Sequence, residues 1–162
     1  MIPKVIHYCW FGGKPKPQGV ISCIKSWEKF CPDYKIVEWN EDNYDITKNK
    51  YMHEAWLEKK WAFVSDYSRL DIVYNHGGIY LDTDVELIKN IDYLLKAEAF
   101  MGFEDGKSVN MGVGFGAVKG FELIKELLEL YENLDFINSD GSLNTVACPV
   151  YTTKHLISKG MK

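Results

Sequence analysis

The sequence has little of what marks several large protein classes. Its four cysteines, Cys9, Cys23, Cys31 and Cys148, form no CxxC pair and no regular framework. That excludes a zinc ribbon or a disulfide scaffold as the organising device and points to a reducing, cytoplasmic setting. The opening MIPKVIHYCW has no basic-then-apolar run ending in a small-residue cleavage site, so no signal peptide is read there. The longest stretch free of Asp, Glu, Lys and Arg, Gly141 to Thr153, is polar in half of its positions and falls short of the ~20 apolar residues of a membrane helix. Charge of one sign is scarce too: 19 basic side chains face 23 acidic ones for a net charge of -4. Without a Lys/Arg cluster there is no electrostatic footprint for nucleic acid, and an anionic ligand needs oriented donors or a metal ion. The GxSxG elbow, the Walker loop and a catalytic cysteine signature are all missing, and His53-Glu54 lacks the second histidine of HExxH.

Repeats, low-complexity tracts and Ser/Pro-rich linkers are also absent, and the one strong breaker cluster, Gly12 to Pro17, lies too near the N-terminus to divide two domains. Residues 1–162 are therefore read as a single domain. With 46% hydrophobic residues, a chain of this size buries about two thirds of its unfolded surface and needs no staples to build a core.

Hydrophobic periodicity predicts an alternation of strands and helices. Lys4 to Tyr8 reads as a strand, Val20 to Phe30 as a helix and Tyr34 to Trp39 as a second strand. Met52 to about Asn75 reads as helix with a break near Lys60, its apolar stripe formed by Phe63, Tyr67, Leu70 and Tyr74. His76-Gly77-Gly78 ends it, with glycine expected in a left-handed cap. Ile79 to Leu81 follows as a short buried strand, then Ala99 to Phe103 and Asn110 to Val118 as strands, Phe121 to Tyr131 and Val150 to Ile157 as helices. Strands separated by helices imply an α/β fold with a parallel sheet.

The chemistry concentrates after the third strand. Asp82-Thr83-Asp84 puts two carboxylates on one side of an extended segment, at the strand end where open α/β sheets bind ligands. The pair suits an oxygen-ligated divalent cation. An EF-hand starting at Asp82 fails for want of Gly at Leu87 and Glu at Tyr93. An aspartyl-phosphate phosphatase with Asp82 as nucleophile stays open as an alternative. On the preceding helix, Asp66 and Arg69 are neighbours on one face, which fits an ordinary surface ion pair or a holder for sugar hydroxyls. His7 and Trp10 flank the end of the first strand, as core residues or as a ring stacked on a nucleobase. Gly112 to Ala117 superficially fits the dinucleotide GxGxxA, but its glycines lie inside a strand pattern, where a bare face lets a ligand or backbone approach.

Three blocks in order, Ile2 to Trp10, Ala62 to Arg69 and Gly77 to Asp84, resemble the DXD sugar-transferases of glycosyltransferase family 32. Those include bacterial capsular and surface polysaccharide enzymes and are more distantly similar to the glucosylating domains of clostridial toxins. The resemblance implies a GT-A type nucleotide-diphospho-sugar transferase fold, an α/β sandwich with a mainly parallel central sheet flanked by helices. It implies a metal-dependent, retaining transfer of a hexose from a nucleotide sugar, UDP-sugar favoured over GDP-sugar, to a surface polysaccharide or glycolipid acceptor. Mn2+ or Mg2+ would be the cofactor. Position by position, Trp10 would stack on the base and His7 would line that pocket. Asp66 and Arg69 would hold sugar hydroxyls, and Tyr80 would sit beside the diphosphate or sugar. Asp82 and Asp84 would be the catalytic and metal pair, with Asp82 also touching ribose and sugar, and Asn110 would line the donor site.

The chain departs from that pattern in two places: Cys148-Pro149 with Thr153 stands where relatives often have Gly-Pro with Thr, and Gly120-Phe121-Glu122 where many have Gly-His-Pro. Relatives also run well past 200 residues, so a C-terminally truncated donor domain, or one completed by a homo-oligomer or another partner, is expected. Peripheral association with the inner face of the membrane is expected where the acceptor is lipid-linked. A noncatalytic sugar-nucleotide-binding module is the alternative from a different class.

Overall fold

Period-two alternation in Val5–Cys9 makes strand β1, with Ile6 and Tyr8 turned to one face of the sheet and His7 and Cys9 to the other. The computed structural model describes residues 1–161. After the Gly/Pro loop, α1 (Gln18–Phe30) lies on the Ile6 face, where Trp27 is fully buried and donates its indole N–H to Val85 O at 2.8 Å. The second strand, β2 (Lys35–Trp39), pairs with β1 in parallel.

The long helical pattern divides as its sequence suggests, into α2 (Lys50–Leu57) and α3 (Trp61–His76), with Lys59 in the turn at a φ of 56°. Asn49 caps α2 by accepting from Met52 N at 3.0 Å, which satisfies one of the orphan N–H groups of the first turn. The expected stripe of α3 understates its burial. Phe63, Tyr67 and Tyr74 are only half-buried, whereas every residue from Ser68 to Val73 is buried, because the helix is covered on one side by the sheet and on the other by α2 and a later helix. Gly77 ends α3 with φ 67° and ψ 177°. That is not the left-handed cap the sequence suggests but a glycine-only extended conformation, and it turns the chain straight into β3 (Gly78–Tyr80).

Strands β4 (Ala99–Met101) and β5 (Phe115–Ala117) complete a five-stranded sheet of order β2-β1-β3-β5-β4. The sheet is mixed: β1 runs parallel to β2 and β3, while β5 is antiparallel to both β3 and β4. The single strand expected over Asn110 to Val118 is also interrupted. The Asn110 side chain accepts from Gly112 N at 2.8 Å and rolls Met111–Val113 into a 3-10 turn, leaving only three residues for β5. Helix α4 (Glu122–Glu129) packs on α3, and α5 (Cys148–Ser158) carries Pro149 in its first turn. Two apolar clusters result, one under α1 and one under α2, α3 and α4.

Candidate functional site

The C-terminal ends of β1 and β3 open into a cleft of about 620 Å³. Trp10 and Lys14 come from the loop after β1, Asp66 and Arg69 from α3, Tyr80, Asp82 and Asp84 from the end of β3, and Asn110 from the turn before β5. Seven residues singled out from sequence thus meet around one cavity.

His7 does not join them. Its Nε2 lies 2.8 Å from Gly77 O and its Nδ1 accepts from the Trp39 indole N–H at 3.1 Å. With both ring nitrogens used in the core, the residue cannot line the cleft; it ties β1 to the glycine turn and to β2. Those bonds require the neutral ring, and burial pushes its pKa down to about 4.

Arg69 organises the centre. It is only 4% exposed, so its pair with Asp66 is not the surface contact one reading of the sequence allowed. One guanidinium nitrogen, Nη2, pairs with Asp66 and donates to Cys148 Sγ at 2.8 Å, while Nη1 lies 3.5 Å from Asp82 Oδ2. The Tyr80 ring centroid is 5.9 Å away. Its Nε is buried without a hydrogen-bond partner among the described residues. One cation therefore serves two carboxylates. Burial pushes Asp66 up to about 6 although Arg69 pulls it down, with Asp82 pushing it further up. Burial likewise raises the Asp82 carboxyl, against the pull of Arg69. The Cys148 thiol, raised by burial to about 11, stays neutral.

On the cleft lining the Trp10 indole N–H donates to Lys14 O at 2.7 Å, and Lys16 Nζ lies 5.8 Å from the ring. Asp84, also on the lining, is exposed beside the partly exposed Asp82. Asn110 is held from two sides, accepting from Gly112 N and donating to Glu104 Oε2 at 3.2 Å. Gly112 is close to Asp82: a Cβ there would run into the carboxylate. Lys14, Trp61 and Glu104 also line the cleft and carried no motif by which sequence could find them, while Pro149, lining it too, was visible only as part of a family pattern. Cys148 was visible only as a departure from a family pattern.

Four carboxylates, Asp66, Asp82, Asp84 and Glu104, face two cations, Lys14 and Arg69, around the cavity. An anionic ligand is repelled there unless a cation accompanies it. Among the described residues no three or more His, Cys, Asp or Glu side chains form a metal cage. A hard divalent ion that keeps water and phosphate oxygens needs only one or two carboxylates, and Asp84 with Asp82 fits that demand.

A family profile described as the glycosyltransferase sugar-binding region containing the DXD motif matches residues 17–101, more than half of the chain. The chain belongs to this family. The matched span holds Asp66, Arg69, Tyr80, Asp82 and Asp84, while Trp10 and Asn110 lie outside it. Among curated relatives, inositol phosphoceramide mannosyltransferase 3 of Schizosaccharomyces pombe is 29% identical over 140 residues, which is 82% of this chain and 37% of that protein. The uncharacterized glycosyltransferase L373 of Acanthamoeba polyphaga mimivirus is 32% identical over 105 residues, 58% of this chain and 40% of that protein. The chain thus spans well under half the length of the curated relatives it matches. Among solved structures, the PaToxG glycosyltransferase superposes with a TM-score of 0.74 at 18% identity, covering 98% of this chain and 69% of that one. That likeness shows the fold, which is of the GT-A glycosyltransferase type.

Proposed function

We propose that the cleft binds a nucleotide-diphospho-sugar and that the chain is the donor domain of a metal-dependent, retaining glycosyltransferase. The observation that carries this reading is the buried Arg69, which lines the cleft and is shared there between Asp66 and Asp82. With their charge balanced by one guanidinium, Asp66 and Asp82 keep acceptor oxygens for the hydroxyls of a neutral sugar. Asp66 accepts from the same sugar, and Trp10 offers its ring to the base. Asp84 and Asp82 would hold Mn2+ or Mg2+, which supplies charge neutralisation to the diphosphate as it departs.

For a retaining reaction the acceptor hydroxyl approaches the face from which the diphosphate leaves, and its proton passes to the departing phosphate. No side chain then has to act as nucleophile, which also favours transfer over the phosphatase chemistry that Asp82 alone suggests. The name of the fission-yeast relative joins mannose to a ceramide acceptor, so a mannosyl donor and a lipid-linked acceptor are the substrates to try first, ahead of a polysaccharide end.

Calorimetric titration of UDP and GDP, each with Mn2+ and then with chelator, tests the reading. One nucleotide should bind only with metal, and Asp84→Ala should weaken it by at least about tenfold, roughly 1.4 kcal/mol. Equal binding to the variant, or binding that ignores chelator, would sink the proposal.

A further inference from the structure

The two cations that line the cleft are not equivalent. Arg69 is buried and already shared by Asp66 and Asp82. Lys14 is exposed and makes no ion pair among the described residues, whereas Lys16, two residues on in the same loop, is paired with Glu38 at 2.6 Å. The backbone around Lys14 is nevertheless held firmly. Gly12 N–H donates to Glu41 Oε1 at 2.7 Å, and Gly12 lies so close to the Trp61 ring that a Cβ would come within 2.6 Å of it. The Lys14 carbonyl accepts from the Trp10 indole N–H at 2.7 Å, and Pro15 fixes φ at the next position. The main chain is fixed while the ammonium stays free.

Lys14 also stands at a junction. A second cavity of about 660 Å³ lies beside the cleft and extends past Asn40 and Glu41 to Trp56. Trp10, Lys14 and Trp61 wall both cavities. A nucleotide sugar is a neutral sugar and a planar base joined by a charged diphosphate. The cleft offers the sugar its balanced carboxylates, and the second cavity offers a base aromatic faces and polar edges. The diphosphate then crosses between them, at the wall where the unpaired lysine stands.

We propose that the donor lies across both cavities and that Lys14 binds its diphosphate. An ammonium is a point charge with three donors, suited to phosphate oxygens approaching from several directions. When the bond between the anomeric carbon and the diphosphate oxygen breaks, the electron pair stays on the diphosphate, and a positive charge placed there stabilises it. The bond from Trp10 to the Lys14 carbonyl ties the two tasks together: a base stacked on that ring brings its phosphates to the ammonium. This inference rests on the donor reading above and adds the side chain that holds the leaving group.

Lys14→Met removes the charge and keeps both the stem and the backbone carbonyl that Trp10 uses. UDP and GDP, with uridine and guanosine measured by displacement, would be titrated with Mn2+ into the full parent chain, Lys14→Met and Lys16→Met. The quantity to follow is the ratio of diphosphate to nucleoside affinity. For the base that binds, Lys14→Met should lower this ratio about tenfold and leave nucleoside affinity within about twofold of the parent. Lys16→Met should keep the parental ratio, because its charge is spent on Glu38. An unchanged ratio in Lys14→Met overturns the inference alone. An equal fall in Lys16→Met does so too, since it marks general attraction instead of a contact. A parent chain that binds neither diphosphate in the presence of Mn2+ overturns the donor reading and this inference with it.

Discussion

Arg69 is asked to balance two carboxylates and to donate to a thiol, all from within the protein. Replacing it by lysine would keep the charge but lose the planar fork that reaches Asp66, Asp82 and Cys148 together. His7 shows the opposite economy: a titratable group whose every polar atom is spent on structure. Its unfolded counterpart titrates near 6.5, whereas the buried ring does so at about 4. Between these values the unfolded chain binds the extra proton, so stability is greatest above about pH 6.5 and declines as pH falls toward 4. The span corresponds to about 3 kcal/mol. Denaturant unfolding at a series of pH values should show this decline, and His7→Gln should flatten it while lowering stability throughout. An unchanged slope in the variant would place the pH dependence elsewhere.

At the scale of elements, sequence legibility varied with how local the cause was. The helix α3, the short β3 and the carboxylates after it were readable because periodicity and a strand-end position are local facts. The break between α2 and α3 was readable for the same reason. The mixed sheet was not, because the direction of β5 depends on pairing with β3 and β4, which no short-range pattern encodes. Nor was the 3-10 turn at Met111, which is created by one side chain, Asn110, bonding two residues ahead. Seven of the proposed site residues were legible through motif and resemblance. His7 was misplaced because it sits two residues inside the strand, held among Gly77, Trp39 and His76, whereas Trp10, beyond the strand, is free to face the cleft. Gly112 belongs to this scale too. Its backbone would accept alanine, but the added methyl meets the Asp82 carboxylate. Gly112→Ala should therefore leave thermal stability within about 1 kcal/mol of the parent while weakening metal-dependent nucleotide binding by tenfold or more; titration beside a melting curve separates the two effects.

Across the whole molecule, the cleft is assembled from segments far apart in the chain, with Trp10 near one end and Pro149 near the other. The sheet supplies a rigid floor for most of them. Helix α5 is different, since no strand anchors it. Its ties are side-chain ones: Thr153 to Val109 N at 2.9 Å, and Cys148 to Arg69 and His155 and Lys159 to Glu126 at 2.8 Å. A segment fastened this way opens as a unit at lower cost than the sheet does. Because one of its fastenings is the arginine at the centre of the cleft, ligand capture and helix opening draw on the same side chain. Amide hydrogen exchange should report this: the α5 amides should exchange faster than those of β1 and slow together when nucleotide and Mn2+ are added. If they are indifferent to ligand, the thiol contact carries no linkage. If they respond, the last helix acts as a latch whose closure is set from inside the binding site, and occupancy of the cleft becomes readable at the outer surface of that helix.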